Sequence, residues 1–245
     1  MSNLYTSLAQ VYEAMYKTFI NYEEEFALYK QLLVKYHCQS VVEIGCGAGN
    51  LAGRFIKEGL NYTGLDISAE MLAIAKKNNP ACTFFQSNMQ HFILPKPVDA
   101  AIITGRTISY LLSNKDVNES LFAINKNLKP AGVICFDFID ANKFIPGIKE
   151  QGIWHSAVVE NKKFKRESFW SLNLTEGWSF DWLSVFYEES PAGGLIKLGE
   201  DNSTIRAFTK DEIMLFLQLN GFWVKEIMPR ITYAFDTFVV VAEKE

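Results

Sequence analysis

The sequence has 245 residues, of which 49% are hydrophobic, and its formal net charge is -4. This length fits one large α/β domain with a smaller subdomain, and the net charge excludes a general basic field for nucleic acid. Three histidines and four scattered cysteines without a C-x-x-C pair argue against a zinc site. No apolar run is long enough to span a bilayer, so we expect a cytoplasmic protein without a membrane partner.

The first 36 residues predict an N-terminal cap of two helices. Apolar residues recur at helical spacing through both segments, and Asn21 marks the break between them. Tyr12 and Tyr16 belong to this apolar pattern, and both are expected to pack there unless they also serve a ligand.

The stretch VVEIGCGAGN at residues 41–50 predicts a strand, a glycine turn and the start of a helix. Glycine permits positive φ and close approach of a ligand, and a helix N-terminus offers unpaired N–H groups. The third glycine of the dinucleotide fingerprint G-x-G-x-x-G would fall at Asn50. The next strand, YTGLD, ends in Asp66, where a carboxylate can accept both hydroxyls of a ribose. Glu43 would repel a pyrophosphate and hold an ammonium, so the pair suits a ribose-bearing amino acid better than a nicotinamide dinucleotide.

VVEIGCGAGN followed by YTGLDIS resembles the first and second motifs of class I S-adenosylmethionine-dependent methyltransferases. In that family the first motif wraps the methionine part of the cofactor and the acid of the second motif holds the ribose. The resemblance implies S-adenosyl-L-methionine as cofactor and S-adenosyl-L-homocysteine as product; no metal is expected.

The same resemblance implies further cofactor contacts along the chain. An apolar residue one turn after the acid packs on the adenine, a role that Met71 would take if it is not an ordinary core methionine. Asn88-Met89 stands where the family often has Asp-Met, and an amide oxygen can still accept a hydrogen bond from the adenine amino group; alternatively Asn88 is a turn residue. N-terminal tyrosines often close over the cofactor. The expected contacts are Tyr12, Tyr16, Glu43, Gly45, Cys46, Gly47, Gly49, Asp66, Ile67, Met71, Asn88, Met89, Thr104 and Gly105.

A fourth strand, buried by its continuous apolar run, ends at Thr104-Gly105-Arg106. Ligands bind at the carboxyl ends of strands in open α/β sheets, so Thr104 and Gly105 can present carbonyls to an ammonium. A base is needed only when the acceptor arrives protonated, so no residue is identified as catalytic. The polar candidates on the substrate side are Arg106, Tyr110, Asp137, His155, Arg230 and Tyr233, each with a surface or structural role as the alternative.

Asp116 to Leu128 predicts a helix, and the turn after it leads into a fifth strand that resembles the family's L-K-P-G-G segment. Asp137 and Asp140 are close in sequence, which suggests a possible metal site. Because no third ligand is visible, a structural or substrate-contact role is favoured.

In residues 153–206 strands no longer alternate with helices. The pattern predicts three or four antiparallel strands, inserted as an aromatic-rich lid over the substrate. The alternatives are a homodimer interface or plain sheet packing. The basic cluster Lys162, Lys163, Lys165 and Arg166 is expected to be a solvated face, with an anionic substrate or tRNA as the other reading. The predicted strands are Ser156–Glu160, Phe164–Leu174, Trp178–Glu188 and Gly194–Leu198.

Thr209 to Glu212 predicts a capping box that opens the last helix, which Asn220-Gly221 closes. Two strands without a helix between them follow, which predicts an antiparallel hairpin at the sheet edge. The expected fold is therefore α/β: a Rossmann-like seven-stranded mixed sheet with helices on both faces. Residues 1–152 and 207–245 would form the cofactor domain, with 1–36 as its cap and 153–206 as its lid.

The predicted function is transfer of a methyl group from S-adenosylmethionine to N or O of a small molecule. An RNA- or tRNA-directed methyltransferase is one alternative, but the [DN]-P-P-[YFW] and Pro-Cys motifs of nucleic-acid methylases are absent. A nicotinamide oxidoreductase is disfavoured by Asn50 and Glu43. A catalytically silent binding protein with this fold is argued against by the retained Glu43, Asp66 and glycines.

Overall fold

In the computed structural model, which describes residues 9–148, 152–159, 162–190, 193–232 and 235–245, the chain forms two β-sheets flanked by helices. The seven-stranded sheet has the order β10-β11-β5-β4-β1-β2-β3, and a separate antiparallel sheet has the order β6-β7-β8-β9. Strands β1 to β5 are parallel, whereas β11 runs antiparallel to both β5 and β10. The predicted mixed sheet, terminal hairpin and separate antiparallel sheet are confirmed.

The described strands are β1 Ser40–Ile44, β2 Asn61–Asp66, β3 Thr83–Gln86, β4 Val98–Ile103, β5 Leu128–Ile139, β6 Ile153–Val159, β7 Lys162–Leu172, β8 Trp178–Glu189, β9 Leu195–Ala207, β10 Phe222–Ile231 and β11 Asp236–Lys244. The described helices are α1 Ala9–Phe19, α2 Tyr22–Lys35, α3 Ala52–Lys57, α4 Ala69–Asn78, α5 Asn114–Asn127, α6 Ala141–Phe144 and α7 Lys210–Leu219. A short 3₁₀ helix, Thr107–Tyr110, follows β4.

Helices cover both faces of the large sheet because its central strands are apolar on both sides. Successive residues of β4 alternate between two cores: Ala101 and Ile103 pack with α5 and α7, while Ala100 and Ile102 pack with α2, α3 and α4. This two-residue alternation is the pleat of a β-strand. It fixes the register of the sheet, and with it the position of every strand end.

The predicted break between the N-terminal helices is confirmed. The Asn21 side chain accepts hydrogen bonds from the backbone N–H groups of Glu23 and Glu24, and so caps the start of α2. Residues 1–8, predicted as part of the cap, lie outside the described residues.

Several predicted boundaries were wrong: β6 begins at Ile153 rather than Ser156, and β7 spans Lys162–Leu172 rather than Phe164–Leu174. Helix α5 begins at Asn114 rather than Asp116, because Ser113 caps it and Asp116 is the third helical residue of a capping box. Strand β9 continues past Leu198 to Ala207, because residues 199–207 pair with residues 178–186 of β8. The capping box at Thr209 is confirmed.

The small sheet, which we call the lid sheet (β6 to β9), is anchored to the large sheet by a shared apolar core. Ile139 at the end of β5 packs with Trp170, Phe180, Trp182 and Phe235. The backbone continues this contact: the N–H of Phe208 donates to the carbonyl of Ile139 at 3.0 Å. The lid sheet therefore stands directly above the carboxyl ends of the parallel strands.

Candidate active site

A cavity of about 540 Å³ lies between the large sheet, helix α1 and the lid sheet. Its floor is formed by the carboxyl ends of β1, β2 and β4, where the strand order reverses direction. Open α/β sheets bind ligands at this switch point. All the expected cofactor contacts except Gly49 line this cavity.

The glycine turn after β1 places its backbone against the cavity. Gly45 has φ +73°, and a Cβ added there would meet the Thr107 methyl at 2.4 Å. Gly47 has φ +51° and faces Met71, whose Cε would be 3.3 Å from an added Cβ. Glycine, which has no side chain, therefore fits both positions better than any other residue.

Gly49, predicted as a cofactor contact, does not line the cavity. A Cβ added to it would meet Asn79, Ala75 and Phe84 at 3.0 to 3.1 Å. Gly49 thus allows the turn to pack closely against α4 and β3, which is a structural role.

Asp66 stands at the end of β2, and backbone N–H groups hold its carboxylate in place. The N–H of Gly47 donates to its Oδ2 at 2.8 Å, and the N–H of Ser68 donates to its Oδ1 at 2.9 Å. Burial raises the pKa of the Asp66 carboxyl, and this effect outweighs the N–H donors, which lower the pKa. A carboxylate has about four lone-pair sites, so the group can still accept a hydrogen bond from a ribose hydroxyl.

Glu43, at the end of β1, is 2% exposed. The Tyr62 hydroxyl donates to its Oε2 at 2.5 Å, and the Thr104 hydroxyl donates to its Oε1 at 2.9 Å. Burial raises the pKa of Glu43 to about 7, against these two donors. An acid so poised can hold a cation when ionised and can stay neutral when the cation is absent.

The other end of the cavity is lined by Ile67, Met71, Asn88 and Met89. Met71 is 2% exposed and packs with Ala48, so it is both a core residue and a cavity wall. The Asn88 amide oxygen accepts the Gln90 N–H at 3.0 Å. This local turn orients the side chain, and the oxygen retains capacity for a second donor.

Helix α1 covers the glycine turn. The Tyr12 and Tyr16 rings lie 3.9 Å apart between centroids, and both line the cavity. Glu13 between them was not predicted: it is 6% exposed, and its Oε2 accepts a hydrogen bond from the Asn50 amide at 3.1 Å. In the sequence Asn50 stands out only because a third glycine would fall there, and no spacing signals its pairing with Glu13.

The turn after β4 brings Thr104, Gly105, Arg106 and Tyr110 to the cavity wall. Arg106 is 9% exposed and has a left-handed backbone with φ 62°. Its backbone N–H donates to Asp137 Oδ1 at 2.8 Å, and its guanidinium donates to the Thr232 hydroxyl at 3.0 Å. The reading of Arg106 as a surface residue is wrong.

The remaining polar candidates are dispersed. Asp137 is 1% exposed beneath the Arg106 backbone and does not line the cavity, and burial raises its pKa to about 6. His155 is half-buried outside the cavity, beside Arg166 at 3.3 Å. Arg230 lines the cavity but forms a two-point ion pair with Glu25 at 2.5 and 3.1 Å. Tyr233 lies outside the described residues.

The predicted basic face is divided by the lid sheet. Arg166 is completely buried, donates to the Tyr16 hydroxyl at 3.0 Å, and stacks over the rings of Tyr16 and Trp182. Lys162 and Lys165 form ion pairs with Glu188 and Glu189. The expectation of a solvated face is therefore wrong for Arg166, and the three lysines do not form an unopposed basic surface.

Within the described residues, no group of three His, Cys, Asp or Glu side chains is placed to hold a metal ion. In the same part of the chain, no helix is long and apolar enough to cross a membrane.

Comparison with known proteins identifies the central part of the chain. Residues 41–132 match the family described as a methyltransferase domain. A methyltransferase of Geobacillus sp. (strain WCH70) is 37% identical over 101 residues, which are 40% of this chain and 41% of the relative. The dTDP-3-amino-3,4,6-trideoxy-alpha-D-glucopyranose N,N-dimethyltransferase of Streptomyces venezuelae is 28% identical over 95 residues, 39% of this chain and 40% of the relative. The chain thus spans about two fifths of the length of these relatives.

Known structures match nearly the whole chain. Streptomyces venezuelae DesVI superposes with a TM-score of 0.82 and 22% identity, over 95% of this chain and 97% of its own. CalS10, an amino pentose methyltransferase from Micromonospora echinaspora, gives a TM-score of 0.82 and 19% identity over 96% and 97%. Residues 41–132 thus match a methyltransferase domain, and the chain has the fold of S-adenosylmethionine-dependent methyltransferases.

Proposed function

We propose that this protein transfers a methyl group from S-adenosylmethionine to N or O of a small molecule. The observation that carries the proposal is the convergence of Glu43, Asp66 and the Gly45–Gly47 backbone on one cavity under a separate lid. The described residues suit the cofactor in charge and shape: two carboxylates face a ligand that carries an ammonium and a ribose, and no Cβ fills the turn between them.

In this proposal each end of the cavity has a separate task. Asp66 holds the ribose hydroxyls. Glu43 holds the ammonium group of the cofactor, together with Thr104 and the adjoining backbone carbonyls. Ile67, Met71 and Met89 enclose the adenine, and Asn88 accepts from its amino group. Tyr12 and Tyr16 close over the cofactor from α1 and exclude water.

When bound, S-adenosylmethionine supplies a methyl group on a positively charged sulfur, open to in-line displacement. Positioning of donor and acceptor then provides much of the rate. This chain contributes that positioning through the turn at residues 104–107 on one side and the lid sheet on the other. Tyr110 and Arg106 border the acceptor side. Asp137 is buried and His155 lies outside the cavity, so neither is proposed as a base.

A small acceptor is favoured by the enclosed cavity and by relatives named as methyltransferases of dTDP-amino sugars. An RNA- or tRNA-directed enzyme is the second candidate, but the ion-paired lysines and buried Arg166 of the lid sheet give it little support. A silent binding protein would not need a cavity that accommodates both a cofactor and an acceptor.

A reducing, cytoplasmic setting is part of the proposal, because Cys38, Cys46, Cys82 and Cys135 are all unpaired thiols. A homodimer through the lid sheet also stays a proposal. Large apolar side chains that are exposed on that sheet support it, among them Trp154, Val158 and Ile196.

The test is a calorimetric titration of the purified protein with S-adenosylhomocysteine, with NADH as the control. We expect micromolar affinity for the former alone, because Asp66 and Glu43 suit a ribose and an ammonium and repel a pyrophosphate. Binding of NADH instead, or of neither compound, would reject the proposal.

A further inference from the structure

We infer that the methyl acceptor carries an uncharged oxygen on an apolar ring, and that the Ser109 hydroxyl and the Trp182 indole N–H donate hydrogen bonds to it. The inference rests on the proposed function and names the substrate class of the same cavity. It arises from two polar groups that are buried in the cavity wall and that make no hydrogen bond to any described residue.

Trp182, on β8 of the lid sheet, lines the cavity and is 8% exposed. Its indole Nε1 makes no hydrogen bond within the part of the chain that the structure describes. Buried tryptophans usually pair this N–H, because a buried donor without a partner costs free energy. The indole N–H is a donor only, so the group that satisfies it must supply an acceptor atom.

The Trp182 ring is held in place by three other side chains. The Arg166 Cζ lies 5.4 Å from its centroid, and the rings of Phe235 and Trp170 lie 5.8 and 6.2 Å away between centroids. The Phe235 ring meets it edge-on, at 78°. A donor fixed by packing loses little freedom when a ligand binds, so its hydrogen bond contributes more to affinity.

Ser109 supplies the second donor, from the 3₁₀ helix that follows β4. It is 2% exposed, lines the cavity, and its Oγ makes no hydrogen bond to a described residue. Its backbone N–H donates to the carbonyl of Arg106 at 2.9 Å, which fixes the position of the side chain. The same 3₁₀ helix packs against β9, the strand that pairs with β8. The two donors therefore border the same end of the cavity.

The surroundings of the two donors are apolar. Ile139, Ile205 and Phe235 line the cavity and share one core with Trp182. Ligand sites of this kind combine apolar walls with a few polar groups that fix the orientation of the ligand. The walls suit a ring, and the two donors suit an oxygen on that ring.

The two arginines on the described cavity wall are engaged by the protein itself. The Arg106 guanidinium donates to the Thr232 hydroxyl at 3.0 Å and lies 5.2 Å from the centroid of the Phe235 ring. Arg230 forms its two-point ion pair with Glu25. An uncharged oxygen costs far less to desolvate than a carboxylate or an ammonium, so two neutral donors are sufficient to hold it.

The experiment measures binding of four probes by ligand-observed NMR: acetophenone, toluene, benzylamine and benzoate. All four carry one benzene ring. Acetophenone adds an uncharged oxygen, toluene adds no polar group, benzylamine is a protonated donor at neutral pH, and benzoate is a charged acceptor. Each probe is titrated with and without S-adenosylhomocysteine, whose own affinity is measured for every protein and also reports folding.

The chain offers a matched control for each variant. Trp182→Phe removes the indole N–H and keeps an aromatic ring, and Trp170→Phe does the same to a tryptophan of the same core that is also 8% exposed and has no described hydrogen bond at Nε1. Ser109→Ala is matched by Ser120→Ala on α5, whose buried hydroxyl also has no described partner. Neither control residue lines the cavity as the described residues define it.

We expect acetophenone to bind the wild type at least about tenfold more tightly than the other three probes. Trp182→Phe and Ser109→Ala should each reduce affinity for acetophenone about threefold or more and leave that for toluene within about twofold. Trp170→Phe and Ser120→Ala should keep the wild-type preference. Affinity for S-adenosylhomocysteine should be the same in all five proteins.

Four results would overturn the inference: equal or undetectable binding of acetophenone and toluene, tighter binding of benzoate or benzylamine, an unchanged preference in both Trp182→Phe and Ser109→Ala, or an equal loss in the control variants. Loss of S-adenosylhomocysteine binding in Ser109→Ala or Trp182→Phe would also overturn it, because that donor would then serve the cofactor. Absence of S-adenosylhomocysteine binding by the wild type would reject the proposed function, whereas a preference for acetophenone that depends on both donors would still stand.

Discussion

At the scale of single residues, Glu43 combines burial with a charge that depends on pH. Four polar or charged side chains act on it from three elements: Tyr62 and Asp66 on β2, Thr104 after β4, and Glu25 on α2. The hydroxyls of Tyr62 and Thr104 stabilise the ionised form, whereas burial and the two neighbouring acids favour the protonated form. The balance places the pKa of Glu43 at about 7, against an ordinary value of 4.5.

The sign of the pH effect follows from this raised pKa. Between pH 4.5 and about 7 the native state holds a proton that the unfolded chain has lost. The free energy of unfolding of the ligand-free protein therefore falls as pH rises through that window, as far as Glu43 contributes to it. Binding has the opposite dependence, because a cationic ligand prefers the ionised carboxylate.

We predict that affinity for S-adenosylhomocysteine rises as the pH increases through about 7 and then levels off. In Glu43→Gln this rise should disappear, and affinity above pH 7 should fall roughly tenfold or more, since a charged hydrogen bond contributes about 1.5–3 kcal/mol. Calorimetric titrations at several pH values measure both effects. An identical pH profile in wild type and Glu43→Gln would show that Glu43 does not hold the ammonium.

At the scale of secondary-structure elements, Arg166 connects helix α1 with the lid sheet. It projects from β7 and donates a hydrogen bond to the Tyr16 hydroxyl. Its Cζ lies 5.3 Å from the centroid of the Tyr16 ring and 5.4 Å from that of the Trp182 ring. Tyr16 and Trp182 line the cavity from opposite elements. One buried side chain thus connects helix α1, which covers the glycine turn, to the lid-sheet wall of the same cavity.

We predict that Arg166→Met loosens α1 and lowers the free energy of unfolding by about 1–3 kcal/mol, because it removes the donor of a buried hydrogen bond. Tyr16→Phe is the matched control: it removes the hydroxyl and keeps the ring, so about 0.5–1.5 kcal/mol is expected. Hydrogen exchange of α1 and urea unfolding measure the two effects. Unchanged amide protection across residues 12–19 in Arg166→Met would contradict the connection.

Elements were predictable from sequence where the deciding contacts are local. Asn21 and Thr209 cap helices through bonds to residues two and three positions away, and the glycine turn is a continuous pattern. The Ser113 cap is equally local, but the predicted start at Asp116 corresponds to the third helical residue of the same capping box. The second half of β9 could not be assigned, because its strand character depends on pairing with β8.

At the scale of the whole molecule, the sequence predicted which residues meet at the proposed cofactor end of the cavity, but not those at the proposed acceptor end. Glu43 and Asp66 lie at the ends of adjacent parallel strands, so topology alone brings them together. The bond between Tyr16 and Arg166 joins residues 150 positions apart, in an α-helix and an inserted sheet. No spacing within the sequence encodes such a contact, and the proposed acceptor end depends on contacts of this kind.

The central claim is that this cavity holds S-adenosylmethionine in one particular orientation, and a crystal structure of the complex with S-adenosylhomocysteine tests it most directly. We predict that the ribose hydroxyls lie within hydrogen-bonding distance of the Asp66 carboxylate. The amino group should lie beside Thr104 and Glu43, and the adenine beside Met71, Asn88 and Met89. A nucleoside that occupies the acceptor end beside Arg106 and Trp182, or a ligand bound elsewhere on the chain, would contradict this assignment of the site.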